Sequence, residues 1–310
     1  MKMLFVALAS SLFASPSMPQ TRTIGGEWEA YFDWFHRQSQ VEQLYSGGAT
    51  LYTFGDKVAV HSGAGRQSKI VATLGNGHAL NNIGYAPEAD LPTEEINGYG
   101  DFWYHVKGRD TAGKAFQGYV WGGYVAKGWR KADLTGDGKT EFILLGVSSK
   151  PRKNLTDIRA ELRILKQGQL LYRTDVPGLC LFEDCGSSPL LRILNVPAAN
   201  NALVVEASTM TIGCWAGIEK TYFYWNGSAL ELVCHTELIS GKVLANHPFS
   251  LKDKNGAEVM TCRYVREGED YNPLWDCRGM KARPAVGGQA VVVRARPKSM
   301  TRARPSAPIM

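Results

Sequence analysis

Five aromatic residues in two short segments are the strongest candidates for a chemical role in this sequence. Trp103 and Tyr104 lie in Trp-Tyr-His-Val, and Tyr119, Trp121 and Tyr124 lie in Gly-Tyr-Val-Trp-Gly-Gly-Tyr-Val. Aromatic residues that alternate with β-branched ones are typical of strands, and an outward aromatic face provides a stacking surface for a peptide or sugar. Because strand residues alternate between faces, about half of the five must point inward, with Tyr104 and Trp121 as candidates for the core. The expected chemistry is non-covalent ligand binding.

An acidic loop is the second candidate. It reads Asp-Leu-Thr-Gly-Asp-Gly-Lys-Thr-Glu from Asp133 to Glu141 and runs into an apolar segment. Side-chain oxygens at positions 1, 3, 5 and 9, with Gly at position 6, are typical of loops that wrap calcium. The segment resembles the calcium loops of FG-GAP-type β repeats, although Thr135 and Glu141 replace the family's Asn and Asp. The resemblance implies Ca²⁺ ligation by the side chains of Asp133, Thr135, Asp137 and Glu141 and by the carbonyl of Lys139; the alternative is a metal-free turn.

A catalytic alternative rests on one cysteine and two histidines. The segment Asp-Cys-Gly-Ser-Ser around Cys185 resembles the nucleophile motif of cysteine peptidases that cut peptidoglycan, and His235 and His247 follow it. Such an enzyme needs a thiolate generated by a histidine. Cys185 leads into Ser-Ser-Pro instead of a helix, and Cys180 is close enough in sequence to favour a disulfide. The sequence holds no serine-hydrolase elbow, zinc-protease helix or phosphate loop. We therefore predict a protein that is not an enzyme.

The elements that position the aromatic segments are predicted to form a small β domain at residues 49–128. Its motifs are Lys-Val-Ala-Val-His-Ser-Gly-Ala-Gly-Arg-Gln-Ser-Lys-Ile-Val-Ala-Thr-Leu-Gly-Asn-Gly from Lys57, then Trp103–Val106, then Gly118–Tyr124. In this order they resemble a bacterial Src-homology-3-like (SH3b) domain, with His61 and Ala64 in place of the family's Arg and Pro. The resemblance implies an SH3-like barrel and a cell-wall peptide or glycan as ligand, or a protein partner in the envelope. The acidic insertion at residues 81–100 is longer than in the family and is expected to cover part of a groove.

The rest of the chain is predicted to add a helix and a second β domain. Aromatic residues at helical spacing predict a helix over residues 24–46, which ends at Ser-Gly-Gly. Residues 129–277 are predicted to form a disulfide-bearing antiparallel β domain, with hairpins at Gln167-Gly168 and Asn226-Gly227. The fold class is therefore all-β: an SH3-like barrel plus a second antiparallel β domain, with a short N-terminal helix.

The N-terminus and the cysteines predict an exported protein. A positive start followed by an apolar run from Leu4 to Ala14 is typical of a secretory signal peptide, assigned here to residues 1–17. No later segment approaches the roughly 18 apolar residues that a transmembrane helix needs. All six cysteines follow residue 179, as suits disulfides in the periplasm or outside the cell. Pairing of sequence neighbours predicts three bonds: Cys180–Cys185, Cys214–Cys234 and Cys262–Cys277.

The net charge of +6 comes from the C-terminal end. Residues 278–310 contain only basic charges, and without them the chain is slightly acidic. Such a tail either binds anionic polymers or remains solvated and disordered. Its richness in Pro, Arg and Ala favours a solvated, disordered tail. No nucleic-acid-binding motif accompanies it, so nucleic acid is not an expected partner.

Overall fold

The fold is known from a computed structural model that describes most of the chain between residues 30 and 279. The described residues are 30, 31, 33–35, 37–39, 44, 46–85, 93–148, 160–177, 179, 181, 189–196, 201–211, 217–239, 242–243, 248–252, 258–268 and 271–279. The predicted signal peptide and all of the predicted tail beyond residue 279 lie outside this set.

A short helix, α1, precedes the strands. The described residues from 30 to 38, and residue 44, are helical, and all of them lie within the predicted span 24–46. Tyr31 and Phe35 are buried on one side of α1, where they pack against Leu190, Met210 and Ile218. The described part of the predicted aromatic stripe, Tyr31 and Phe35, is therefore part of the core. Among the described residues, no helix has both the length and the apolarity to cross a membrane.

The first sheet contains seven antiparallel strands within residues 50–121. They are β1 (Thr50–Tyr52), β2 (Val58–His61), β3 (Ile70–Leu74), β4 (Ala79–Tyr85), β5 (Thr93–Ile96), β6 (Tyr99–Arg109) and β7 (Ala115–Trp121). Their order is β1-β4-β6-β7-β2-β3, and β5 pairs with the start of β6. A short 3-10 helix (Gly122–Tyr124) follows β7. The residues after it return to β1, because the N–H of Phe54 donates to the carbonyl of Tyr124 and the N–H of Ala126 donates to that of Tyr52.

The second sheet begins where the first domain was predicted to end. Its order is β11-β10-β9-β8. The strands are β8 (Gly128–Ala132), β9 (Glu141–Val147), β10 (Ala160–Lys166) and β11 (Gln169–Val176). The acidic loop connects β8 to β9. Gln167 and Gly168 both have positive φ, as a two-residue hairpin turn requires, which confirms the hairpin predicted there.

The described residues contain two further antiparallel sheets. The third sheet consists of β12 (Leu190–Val196), β13 (Ala202–Thr211), β14 (Gly217–Trp225), β15 (Leu230–Ile239) and β16 (Lys242–Val243), paired in that order. The fourth consists of β17 (Phe249–Lys252), β18 (Glu258–Glu267) and β19 (Pro273–Gly279). The hairpin predicted at Asn226-Gly227 joins β14 to β15.

One of the three predicted disulfides is confirmed. Cys262 and Cys277 lie opposite each other on β18 and β19 and are bonded. Each of the other two predicted pairs includes a cysteine outside the described residues, and Cys234 is buried on β15.

The sheets share apolar cores and buried charges. Arg163 on β10 reaches the first sheet: its guanidinium stacks over the Phe54 ring at 4.2 Å and donates to the side chain of Asn76 at 2.5 Å. In the third sheet, Arg192 forms a two-bond ion pair with the fully buried Glu206, with N–O distances of 3.0 and 2.6 Å. The described residues thus form the predicted all-β fold with one short helix, and the region predicted as one second domain contains three sheets.

Candidate binding surface

Three of the five predicted ligand-binding aromatic residues belong to the core. Trp103, Tyr104 and Trp121 are 2%, 0% and 4% exposed, whereas Tyr119 and Tyr124 are half-buried. Tyr104 packs inside the first sheet, as strand alternation allows. Trp103 and Trp121 lie opposite each other on the outer face of β6 and β7, and Trp121 was one of the two residues expected as candidates for the core. Three of the five predicted binding residues are therefore buried, and only Tyr119 and Tyr124 are partly accessible.

The reason for the burial of Trp103 and Trp121 is the insertion at residues 81–100. Its strand β5 pairs with the start of β6, and Ile96 and Tyr99 pack on the two tryptophans. The indole N–H of Trp121 donates to the carbonyl of Glu94 at 2.8 Å, and the side chain of Glu94 forms an ion pair with Arg66. The described part of the insertion thus covers one end of the outer face.

A stacked His105–Tyr119 pair remains accessible beyond this cover. The rings lie 4.6 Å apart between centroids with 9° between their planes, and both residues are half-buried. The Gln117 amide lies 3.0 Å from Nε2 of His105. Sequence reasoning missed His105 as a site residue, although its position two residues after Trp103 places it on the same strand face. Its alignment with Tyr119 depends on the β6–β7 register, which the sequence did not specify.

A cationic cleft adjoins this pair. Along β6 and β7, the outward pairs His105–Tyr119, Lys107–Gln117 and Arg109–Ala115 follow one another. The last two pairs, with Asn81, Gly108 and Phe116, line an open cleft of about 540 Å³. Lys107 and Arg109 are exposed, and neither forms an ion pair with another described residue. An aromatic platform that leads into a cleft with two cations suits a ligand that has a flat or apolar part and an anionic group.

The structure brings the predicted calcium-loop side chains together. Ligand atoms of Asp133, Asp137 and Glu141 lie within 4.8 Å of one another. Thr135 donates its hydroxyl to Glu141 at 2.9 Å, and Lys139 donates its backbone N–H to Asp137 at 3.0 Å. All five predicted residues thus contribute to one compact loop.

Lys166, which sequence reasoning missed, enters this loop from the end of β10. Its ammonium lies 2.7 Å from Oδ2 of Asp137 and 3.1 Å from Oε1 of Glu141. The hydrogen bond with Lys166 lowers the pKa of Asp137, and the same bond raises the pKa of Lys166. No sequence pattern indicated this contact, because Lys166 is far from the loop along the chain.

The proposed peptidase residues are described only in part. Cys185 and His247 lie outside the described residues, so their distance from His235 stays untested. His235 is half-buried on β15, and its Nδ1 lies 3.0 Å from the hydroxyl oxygen of Thr221 on β14.

A pair of glutamates on the third sheet was also missed. Glu219 and Glu237 lie opposite each other on β14 and β15, and Thr209 lies opposite Glu219 on β13. Burial, together with the nearby charge of Glu237, raises the pKa of Glu219 to about 7. Among the described residues, Oε2 of Glu219 and the hydroxyl of the buried Thr209 have no hydrogen-bond partner. Glu219 therefore changes protonation near neutral pH.

Comparison with known proteins adds no relative to this description. No family model matches the chain, and no curated protein matches it.

Proposed function

We propose that this protein is an exported, non-catalytic binding protein of the bacterial cell envelope that recognises a cell-wall peptide or glycan. The surface that we assign to this role contains His105, Tyr119, Gln117, Lys107 and Arg109 on the outer face of the first sheet. Tyr124, the other half-buried member of the predicted set, contacts Trp121 with ring centroids 5.0 Å apart and lies beside the cover instead of the cleft.

The observation that supports the proposal most strongly is the continuity of the stacked pair with the cationic cleft. Gln117 belongs to both, since it contacts His105 and lines the cleft with Lys107 and Arg109. Cell-wall peptides carry free carboxylates, which pair with exposed Lys and Arg side chains, while sugar rings and peptide groups lie flat on aromatic rings. The export half of the proposal rests on the sequence of residues 1–17 and is compatible with the Cys262–Cys277 disulfide.

The test is retention of the protein on purified insoluble peptidoglycan. We expect the wild type to be retained and a His105→Ala/Tyr119→Ala double variant to bind about tenfold more weakly, since each aromatic contact contributes about 0.5–1.5 kcal/mol. Leu232→Ala is the matched control, because Leu232 is 53% exposed but lies on the third sheet.

Three outcomes separate the parts of the proposal. Loss of retention in the double variant but not in Leu232→Ala supports the assigned surface. Equal retention of all three proteins would place binding elsewhere on the molecule. No retention of the wild type would reject a cell-wall ligand and direct attention to envelope proteins as partners.

A further inference from the structure

The ammonium of Lys166 occupies the position at which the acidic loop would hold a cation. It lies 2.7 Å from Asp137 Oδ2, 3.1 Å from Glu141 Oε1 and 2.9 Å from the hydroxyl oxygen of Thr135. These are three of the four side chains predicted to bind calcium. An ammonium has three N–H donors, so these three oxygens satisfy all of them.

The remaining carboxylate oxygens of the loop accept hydrogen bonds from its own backbone. Oδ1 of Asp133 accepts from the N–H groups of Gly136 and Asp137, and its Oδ2 accepts from Gly138. Each carboxylate of the loop is therefore already engaged, since Asp137 Oδ1 accepts from Lys139.

Glu141 shows the same pattern at the buried side of the loop. Its side chain has no exposed surface, and Oε2 accepts from the N–H groups of Leu134 and Thr135 at 2.8 and 3.2 Å. Its other oxygen accepts from Thr135 and Lys166. The only cation in contact with this buried carboxylate, among the described residues, is thus one that the chain itself supplies.

Calcium does not fit this arrangement. The ion takes six to eight oxygen ligands at about 2.3–2.6 Å, so it would need the same oxygens of Asp137 and Glu141 that now contact the Lys166 ammonium. The Lys166 ammonium would also have to leave, because two cations in one ring of oxygens repel each other. The resemblance to calcium loops therefore extends to the spacing of the acidic residues but not to their bonding.

We infer that the β8–β9 loop is calcium-independent and that the Lys166 ammonium takes the structural place of the metal. The loop and the end of β10 are joined by this ammonium, so the turn and the β10–β11 hairpin are fixed relative to each other. The inference does not depend on the proposed binding function, since it concerns a different sheet.

The test compares calcium responses of the full chain and two lysine variants. Proteins freed of metal with EDTA are melted with and without millimolar CaCl2, and an ionic-strength-matched NaCl sample controls for salt. Lys166→Ala removes the internal cation. Lys139→Ala is the matched control, because Lys139 is an exposed lysine of the same loop.

We expect the Tm of the wild type and of Lys139→Ala to be the same with and without calcium. Lys166→Ala should melt at a lower temperature than both, because it leaves the buried carboxylate of Glu141 without its cation. A partial recovery of that loss specifically with calcium would give further support, because the vacated oxygens then face no competing ammonium.

Two results would overturn the inference. The first is a saturable, calcium-specific rise in the Tm of the wild type, with heat of binding in a CaCl2 titration. The second is a Lys166→Ala variant as stable as the wild type and Lys139→Ala in the absence of calcium, because the ammonium would then contribute nothing to the loop.

Discussion

The imidazole of His105 and the phenol of Tyr119 lie face to face across β6 and β7, with ring centroids 4.6 Å apart. The next outward pair towards the insertion, Trp103 and Trp121, is buried beneath Ile96 and Tyr99. One strand pair thus carries two adjacent aromatic pairs with opposite roles. The covered pair is part of the core, and the uncovered pair is available to a ligand.

This difference predicts unequal losses of stability for two alanine substitutions. Trp121→Ala should lower the free energy of unfolding by about 3–5 kcal/mol, because it leaves a large cavity under the cover. Tyr119→Ala should cost about 1 kcal/mol or less, since the ring is half-buried. Chemical denaturation of both variants checks this. Equal losses would show that the two pairs are equally important to the core.

The buried Arg192–Glu206 ion pair should be critical for stability. Burial disfavours the ionised form of Glu206, but the charges of Arg192 and Lys220 outweigh it and lower the pKa of the carboxyl. Glu206→Gln leaves Arg192 as an uncompensated buried charge and should cost about 3–5 kcal/mol. Asp33→Asn is the control, since its partner Arg37 lies 4.0 Å away and both are exposed; it should cost about 0.5 kcal/mol or less. Similar losses for both variants in urea denaturation would contradict this assignment.

Glu219 predicts a pH dependence of stability. Its pKa rises from an ordinary 4.5 to about 7 in the folded protein, mainly through burial. The folded state therefore binds the proton more tightly, and this contribution is complete below pH 4.5 and lost as pH rises through about 7. Glu219→Gln removes the titrating group, so the variant should gain Tm relative to the wild type between pH 5 and pH 8. A difference in Tm that does not change with pH would exclude Glu219 as its source.

The Cys262–Cys277 disulfide should stabilise the fourth sheet. It closes a loop with a sequence separation of 15, for which constraint of the unfolded chain contributes about 3 kcal/mol. A Cys262→Ala/Cys277→Ala variant should therefore unfold at lower denaturant concentration. Adding reductant should destabilise the wild type more than this variant. If reductant affected both equally, the effect would come from other cysteines.

The sequence predicted local features better than contacts between distant segments. Gln167-Gly168 identified its hairpin because both residues adopt the positive φ that such a turn demands. The burial of Trp103 could not be read from alternation, because Tyr104 beside it is also buried and the two are covered from opposite sides. The insertion, folded back onto β6, supplies much of the cover on the outer side.

The candidate sites show the same limit. The spacing from Asp133 to Glu141 correctly indicated a cluster of side-chain oxygens. The contact of Lys166 with this loop could not be predicted, because it depends on how β10 pairs with β9. The sequence predicted that His105 lies on a strand. It did not predict that Tyr119 is its partner, because that depends on the register between β6 and β7. The role of Glu219 could not be predicted either, because it depends on the pairing of β14 with β15, which places Glu219 opposite Glu237.

The hydrogen bonds that join residues 52–54 to residues 124–126 have a consequence for how the chain folds during synthesis. The backbone partners of Tyr52 and Phe54 emerge from the ribosome only after the whole of β2 to β7. At about 5–20 residues per second, β1 therefore waits several seconds for these partners, with part of its edge open to wrong pairing. The first sheet cannot be completed by local steps alone, and its closure is a slow, non-local event.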